Sequence, residues 1–185
     1  MVLIMSFTRL MLSTMTNITN TSSGVTNAAA QAPNLRFSFS ITAEVEPGIP
    51  LTQRDHERLE FIPITGGQVS GEISGDVVAG GGDWCLSRND DAFNVEARYG
   101  IRTDKGAYID VVNVGVLRHV DGEHGGPEAM RYFLTTPIFR TSDLDLLWLT
   151  RSVFVGQAQV QAHATVIDVY EVVIENNTHA SGEAH

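Results

Sequence analysis

Strict two-residue alternation is the feature that most constrains this chain. Phe37, Phe39, Ile41, Ala43 and Val45 are apolar, and Ser38, Ser40, Thr42 and Glu44 between them are polar. Phe93, Val95, Ala97, Tyr99 and Ile101 alternate in the same way with Asn94, Glu96, Arg98 and Arg102. A strand turns successive side chains to opposite faces, so each run offers one face to a core and one to water. Shorter runs at 59–64, 68–73, 76–79, 83–88, 107–117, 131–140, 150–159 and 164–174 also read as strands. Pro47-Gly48 with Pro50, Gly66-Gly67, Gly75, Gly80-Gly81-Gly82, Asn89-Asp90-Asp91 and Asp104-Lys105-Gly106 punctuate them. Pro137 suggests a bulge or an edge. Helix is confined to a turn at 127–130 and a short segment capped by Ser142-Asp143 and ending at Leu147. Nine or ten strands without a long amphipathic helix predict an all-β fold. An antiparallel closed β-barrel with one or two short helices and a modest cavity is expected, because closure removes edges that so many strands would leave exposed.

Charge divides the chain. All 22 acidic residues lie from Glu44 onward with all basic residues except Arg9 and Arg36, so that part carries −12 against −10 for the whole. The first 34 residues are rich in Ser, Thr, Asn, Ala and Met and read as a flexible low-complexity leader. Residues 35–175 are then the barrel and 176–185 a disordered tail. Arg9 interrupts the leader's apolar stretch and no basic run precedes it, which makes a poor secretory pattern. A cytoplasmic location is expected, with organelle targeting or secretion through the leader as the alternative. Acidic balance argues against nucleic acid as a partner, and no apolar run is long enough for a membrane helix. The single Cys85 rules out an internal disulfide framework and multi-cysteine metal sites.

Several side chains can carry chemistry. Asp83 opens a strand after three glycines, where it either accepts backbone N–H groups or acts as a proton acceptor at a cavity mouth. Trp84 would wall such a cavity, although alternation sends the two side chains to opposite faces. Glu96 and Arg98 share a face, either as a solvent ion pair or as an inward pair in which Arg98 orients a substrate oxygen. His119, at a strand end beside a Gly-rich loop, is a surface residue or a second candidate base. Tyr132, Thr135 and Thr136 offer hydroxyls, and Arg151 follows Trp148 where it binds an acidic group or ties down a helix end. His119, Asp121, Glu123 and His124 cluster in one loop, but such loops are common and no metal site is assigned. Cys85 reads as a buried inert thiol. No nucleotide-binding glycine motif or nucleophile elbow is present.

The motifs Gly81-Gly82-Asp83-Trp84, Ala97-Arg98-Tyr99 and Arg102-Thr103-Asp104-Lys105-Gly106 recur in order with Asn113–His119, Tyr132–Pro137, Trp148–Gly156 and Val169–Val172. In this respect the chain resembles the family catalogued as domain of unknown function 3237, over roughly Arg36 to Val173. The resemblance implies a calycin-like (lipocalin-like) barrel around a small-molecule cavity and no established common reaction. The chain departs from the pattern in a shorter loop between Val120 and Arg131, in Thr150 where an Asn is usual, and in its leader.

Together these readings predict a small-molecule-binding barrel that acts as a cofactor-independent enzyme of specialised metabolism. Its chemistry would be proton transfer in an isomerisation, cyclisation or elimination on a small aromatic, polyketide-like or terpenoid substrate. Asp83, His119 and Tyr132 are the expected catalytic groups. Trp84, Glu96, Arg98, Asn113, Arg118, Trp148 and Arg151 are the expected substrate contacts. The alternative is a non-catalytic carrier of a hydrophobic acid. A homodimer is compatible with either.

Overall fold

A computed structural model describes residues 32–121 and 124–174; the leader up to position 31 and the tail from 175 lie outside the described residues. Among the described residues nine strands follow in chain order: β1 (Asn34–Val45), β2 (Ile49–Arg54), β3 (Glu57–Gly71), β4 (Gly75–Ser87), β5 (Ala92–Thr103), β6 (Tyr108–Arg118), β7 (Tyr132–Arg140), β8 (Phe154–Val160) and β9 (Ala164–Val173). From β2 to β9 each strand pairs antiparallel with the next, and β1 pairs with both β9 and β3 but not with β2. That double pairing closes β1 and β3–β9 into an eight-stranded barrel. β2 lies outside the closure as a flap on β3.

The alternation of the sequence becomes inside and outside, except at the start of β1, where a register shift between Phe37 and Phe39 leaves Phe37 exposed and Ser38 buried. Phe39, Ile41 and Ala43 of β1, Val95, Tyr99 and Ile101 of β5, and Ile109 and Val111 of β6 are buried in one core. Two glycine clusters expected to end strands instead bend them. The β3–β4 ladder shifts between Ile64 and Gln68, and the β4–β5 ladder shifts between Val78 and Gly82. Gly67 and Gly80, at φ 128° and 105°, take backbone conformations that a side chain disfavours. A bulge of this kind turns a strand around a barrel without ending it. β2 has no counterpart among the expected strands, because Pro50 reads as a breaker; as an outer strand paired on one side, it tolerates the missing N–H.

The two ends of the barrel differ. Between β7 and β8 a 3-10 turn (Leu144–Leu146) and the one-turn helix α1 (Trp148–Arg151) fold across one end. Thr150 and Arg151 therefore belong to this plug, not to the strand expected from position 150. Trp148 meets Phe39 and Phe154 edge-on or tilted at 6.5 and 5.8 Å, and Leu149 is buried beneath. The β7–β8 ladder runs through Leu134 and Thr135 and stops short of Pro137, which sits where its absent N–H is not needed. The opposite end, bounded by the β1–β2 and β8–β9 connections and a 3-10 turn at Pro127–Ala129, opens into a cavity.

Candidate functional site

The cavity has a volume of about 300 Å³ and is walled mainly by apolar side chains. Asp83 projects into it from the inner face of β4. The strand register sets Asp83 opposite Ala97 of β5, and Ala97 opposite Asn113 of β6. Carboxyl and amide thus flank one small methyl group in a single row. In the adjacent row, Val95, Gly115, Thr135 and Gly156 align across β5 to β8. A Cβ on Gly156 would lie 2.3 Å from the Thr135 Oγ1, so the glycine makes room for that hydroxyl. Tyr99 points inward two residues along β5 from Ala97.

Polar groups in this cavity are unusually free. Among the described residues, the Tyr99 hydroxyl, the Asn113 Oδ1 and the Thr135 Oγ1 are buried without a hydrogen-bond partner. Leaving a buried polar atom unsatisfied costs about 1–3 kcal/mol, so three such atoms facing one cavity call for a ligand or water to complete them. Asp83 is partly satisfied. Its Oδ1 accepts the Glu96 N–H at 2.8 Å, in a stretch where the β4–β5 ladder lapses between Asp83 and Leu86. The carboxylate substitutes there for a main-chain acceptor. Burial pushes the Asp83 carboxyl up from 3.8 to about 6, against the pull of the Glu96 N–H and with a smaller upward push from the Glu96 charge. Burial likewise raises the Tyr99 phenol, keeping it a protonated donor. Cys85, next inward on β4, is pushed up to about 12 by burial, with Asp83 and Glu60 adding to it. It is therefore a thiol rather than a thiolate.

The other residues singled out from sequence lie elsewhere. Trp84, Glu96 and Arg98 face outward, as the burial of the apolar side of β5 requires. Glu96 and Arg98 form a 2.7 Å surface ion pair, with side chains 49% and 58% exposed, which corrects the inward reading of this pair. Tyr132 is also outward, with the Arg118 guanidinium 4.0 Å over its ring, while Arg118 donates to the His119 carbonyl at 2.9 Å. The His119 ring contacts the Gly125 carbonyl at 3.1 Å in the loop after β6 and does not line the cavity. Trp148 and the exposed Arg151 belong to the closed end. Of the ten expected site residues, Asp83 and Asn113 line the cavity. Tyr99 is missing from the expected set because it sits among the apolar members of its run. A phenol on a buried face, which needs a partner for its hydroxyl, is the signal that could have found it.

A family model described as a protein of unknown function (DUF3237) matches residues 33–172. The chain belongs to this DUF3237 family. A UPF0311 protein of Rhodopseudomonas palustris is 36% identical over 147 residues, covering 75% of this chain and 95% of the relative. The crystal structure of a conserved R. palustris protein of unknown function superposes with a TM-score of 0.71 at 34% identity, covering 78% of this chain and 100% of that one. A beta-barrel like protein from Acinetobacter baumannii gives 0.71 at 26% identity, covering 78% and 99% of the two chains. At 23% identity, a protein described as an enzyme from Penicillium herquei shares the fold with a TM-score of 0.62, covering 77% and 96%. DUF3237 membership and the closed barrel thus agree with the resemblance read from the motifs.

Proposed function

We propose that this DUF3237 protein binds a small, uncharged, oxygenated organic molecule in its barrel and moves a proton on it without a cofactor. The observation that carries the reading is the raised Asp83 carboxyl, facing the same cavity as the unpartnered Tyr99, Asn113 and Thr135 groups. A carboxyl poised near 6 is mostly ionised at neutral pH yet returns its proton readily, which suits a group that acts as base and then as acid. Asp83 takes a proton from a C–H or O–H of the substrate. The Tyr99 and Thr135 hydroxyls donate to the oxygen on which negative charge develops. The Asn113 Oδ1 accepts a substrate hydroxyl and fixes its orientation. Return of the proton from Asp83 to a different atom completes an isomerisation or cyclisation with no change in oxidation state.

The charges of the lining favour an uncharged ligand over the hydrophobic acid of the carrier alternative. Asp83, Glu46, Glu60 and Glu128 line the cavity, and among the described residues no Lys, Arg or His does. An anion entering there would pass the exposed Glu46 and Glu128 at the mouth and meet Asp83 within, with no cation among the described lining residues to pair with it. The volume lies at the small end of ligand sites, in keeping with a compact ring system. A Penicillium herquei protein of the same fold, described as an enzyme, is consistent with catalysis on this scaffold.

The test works with an unidentified product. Small-molecule extracts are incubated with the protein in deuterated water and read by mass spectrometry for a new compound or for deuterium on carbon. Asp83→Asn is expected to lower the rate by about 10²–10⁴-fold while saturable binding persists. Equal rates for the variant and the parent would remove Asp83 from the reaction. Saturable binding with the ligand returned unlabelled and unchanged would identify a carrier.

A further inference from the structure

The outer wall of the same barrel carries a second feature, independent of the cavity chemistry. We propose that the outward face of β4–β8 is the surface on which two copies of this chain join. A wet sheet face ordinarily carries polar residues at its outward positions. Here Trp84 and Leu86 of β4, Val114 and Val116 of β6, Leu134 of β7 and Val155 of β8 are outward and apolar and line one broad groove, with Asn94, Glu96 and Arg98 of β5 as a polar row between β4 and β6. Trp84 is 40% exposed, and Val114 and Leu134 nearly as much. Exposed apolar side chains gathered on both sides of one short polar row mark an interface more than a solvated wall.

Charge decides the occupant. The chain carries −10, so two barrels approaching at random repel. Among the described residues, the charged side chains lining this groove are Glu96 and Arg98, one of each sign, so the face is neutral on an acidic molecule. Their arrangement is also self-complementary. Glu96 and Arg98 flank Ala97 on β5, and a two-fold axis lying in the interface above Ala97 and perpendicular to β5 would set each Glu96 against the other copy's Arg98. A symmetric dimer requires a patch to match itself in this way. A strongly basic or acidic partner protein finds no complement on this face, and the apolar side chains around the pair supply the area that exposed ions do not.

Sedimentation equilibrium of the full chain tests the proposal. The parent is expected at twice the chain mass at micromolar concentration. Arg98→Glu leaves two acids facing two acids across the axis, and Glu96→Arg leaves two bases facing two bases. Each variant alone is expected to associate at least tenfold more weakly, with an unchanged far-ultraviolet spectrum. Their equimolar mixture is expected to regain the dimer, because each then meets its opposite. Val114→Lys, which interrupts the apolar groove without touching the pair, is expected to be monomeric. A parent that stays monomeric at 100 µM overturns the proposal. So does a mixture that fails to re-associate, or a Val114→Lys variant that dimerises like the parent.

Discussion

Replacing Asp83 with Asn should make the folded protein more stable at neutral pH and leave it almost unchanged in acid. The carboxyl has a folded-state pKa of about 6 against an ordinary 3.8. Between those values the folded protein holds a proton that the unfolded chain has released. Stability therefore falls as pH rises through that window and levels off above about 6. The distance from 3.8 to about 6, at about 1.4 kcal/mol per pH unit, is worth about 3 kcal/mol. An asparagine keeps the shape and can still accept the Glu96 N–H, but has no charge to bury. Urea unfolding of both proteins at half-unit steps from pH 3.5 to 8 isolates the effect, since the other titrating groups cancel in the difference. The variant's advantage should be near zero at the acid end and approach about 3 kcal/mol above pH 7. A difference that stays flat with pH would refute the claim that this carboxylate is held in an unfavourable environment. Such a cost at neutral pH is what a group retained for chemistry is expected to impose.

Three further outcomes follow from the packing and titration of the barrel. Gly156→Ala places a methyl against the Thr135 hydroxyl and the Ile167 side chain, and should cost about 1–3 kcal/mol by thermal unfolding; adding Thr135→Ala should recover part of the loss, and strict additivity of the two would show that they do not meet. Cys85 should resist a thiol-exchange reagent at pH 8 in the folded protein and react at once in urea, because its thiol is pushed up to about 12. Glu171 is held below its ordinary 4.5 by the Ser152 hydroxyl and by Arg36, so its contribution is present above 4.5 and is lost as pH falls through the lowered value. Glu171→Gln should remove that acid-side loss, worth under about 1 kcal/mol for so exposed a partner as Arg36, and an unchanged acid limb of the unfolding curve would disprove it.

Legibility of the site follows the range of the interaction that makes it. That Asp83 and Trp84 oppose each other, and that Glu96 and Arg98 share a side, follows from pleat geometry and is readable from the residues alone. Which of those sides is the inside is not. The inward reading of Glu96 and Arg98 fails because the apolar side of β5 fills the core, leaving the ion pair to water. His119, Tyr132 and Arg151 share motifs with buried residues but lie on the loop, the outer wall and the closed end. In the sequence Tyr99 is a phenol on an apolar face and Thr135 one of several strand hydroxyls; that both are left without a partner is decided by the folded barrel.

By itself, the sequence determined a chain of short antiparallel strands rich enough to close, because a two-residue hydrophobic period has one local solution and many exposed edges are unfavourable. It also determined that the acids lie in that part of the chain and not before it. Tertiary structure alone decided where closure occurs, through β1 bonding both β3 and β9. It decided that Gly66-Gly67 and Gly80–Gly82 bend strands rather than end them. It also placed Asp83, Ala97 and Asn113 in one row across β4, β5 and β6. Register is a pairing between residues distant along the chain, set by the whole barrel closing at once, and no local pattern contains it.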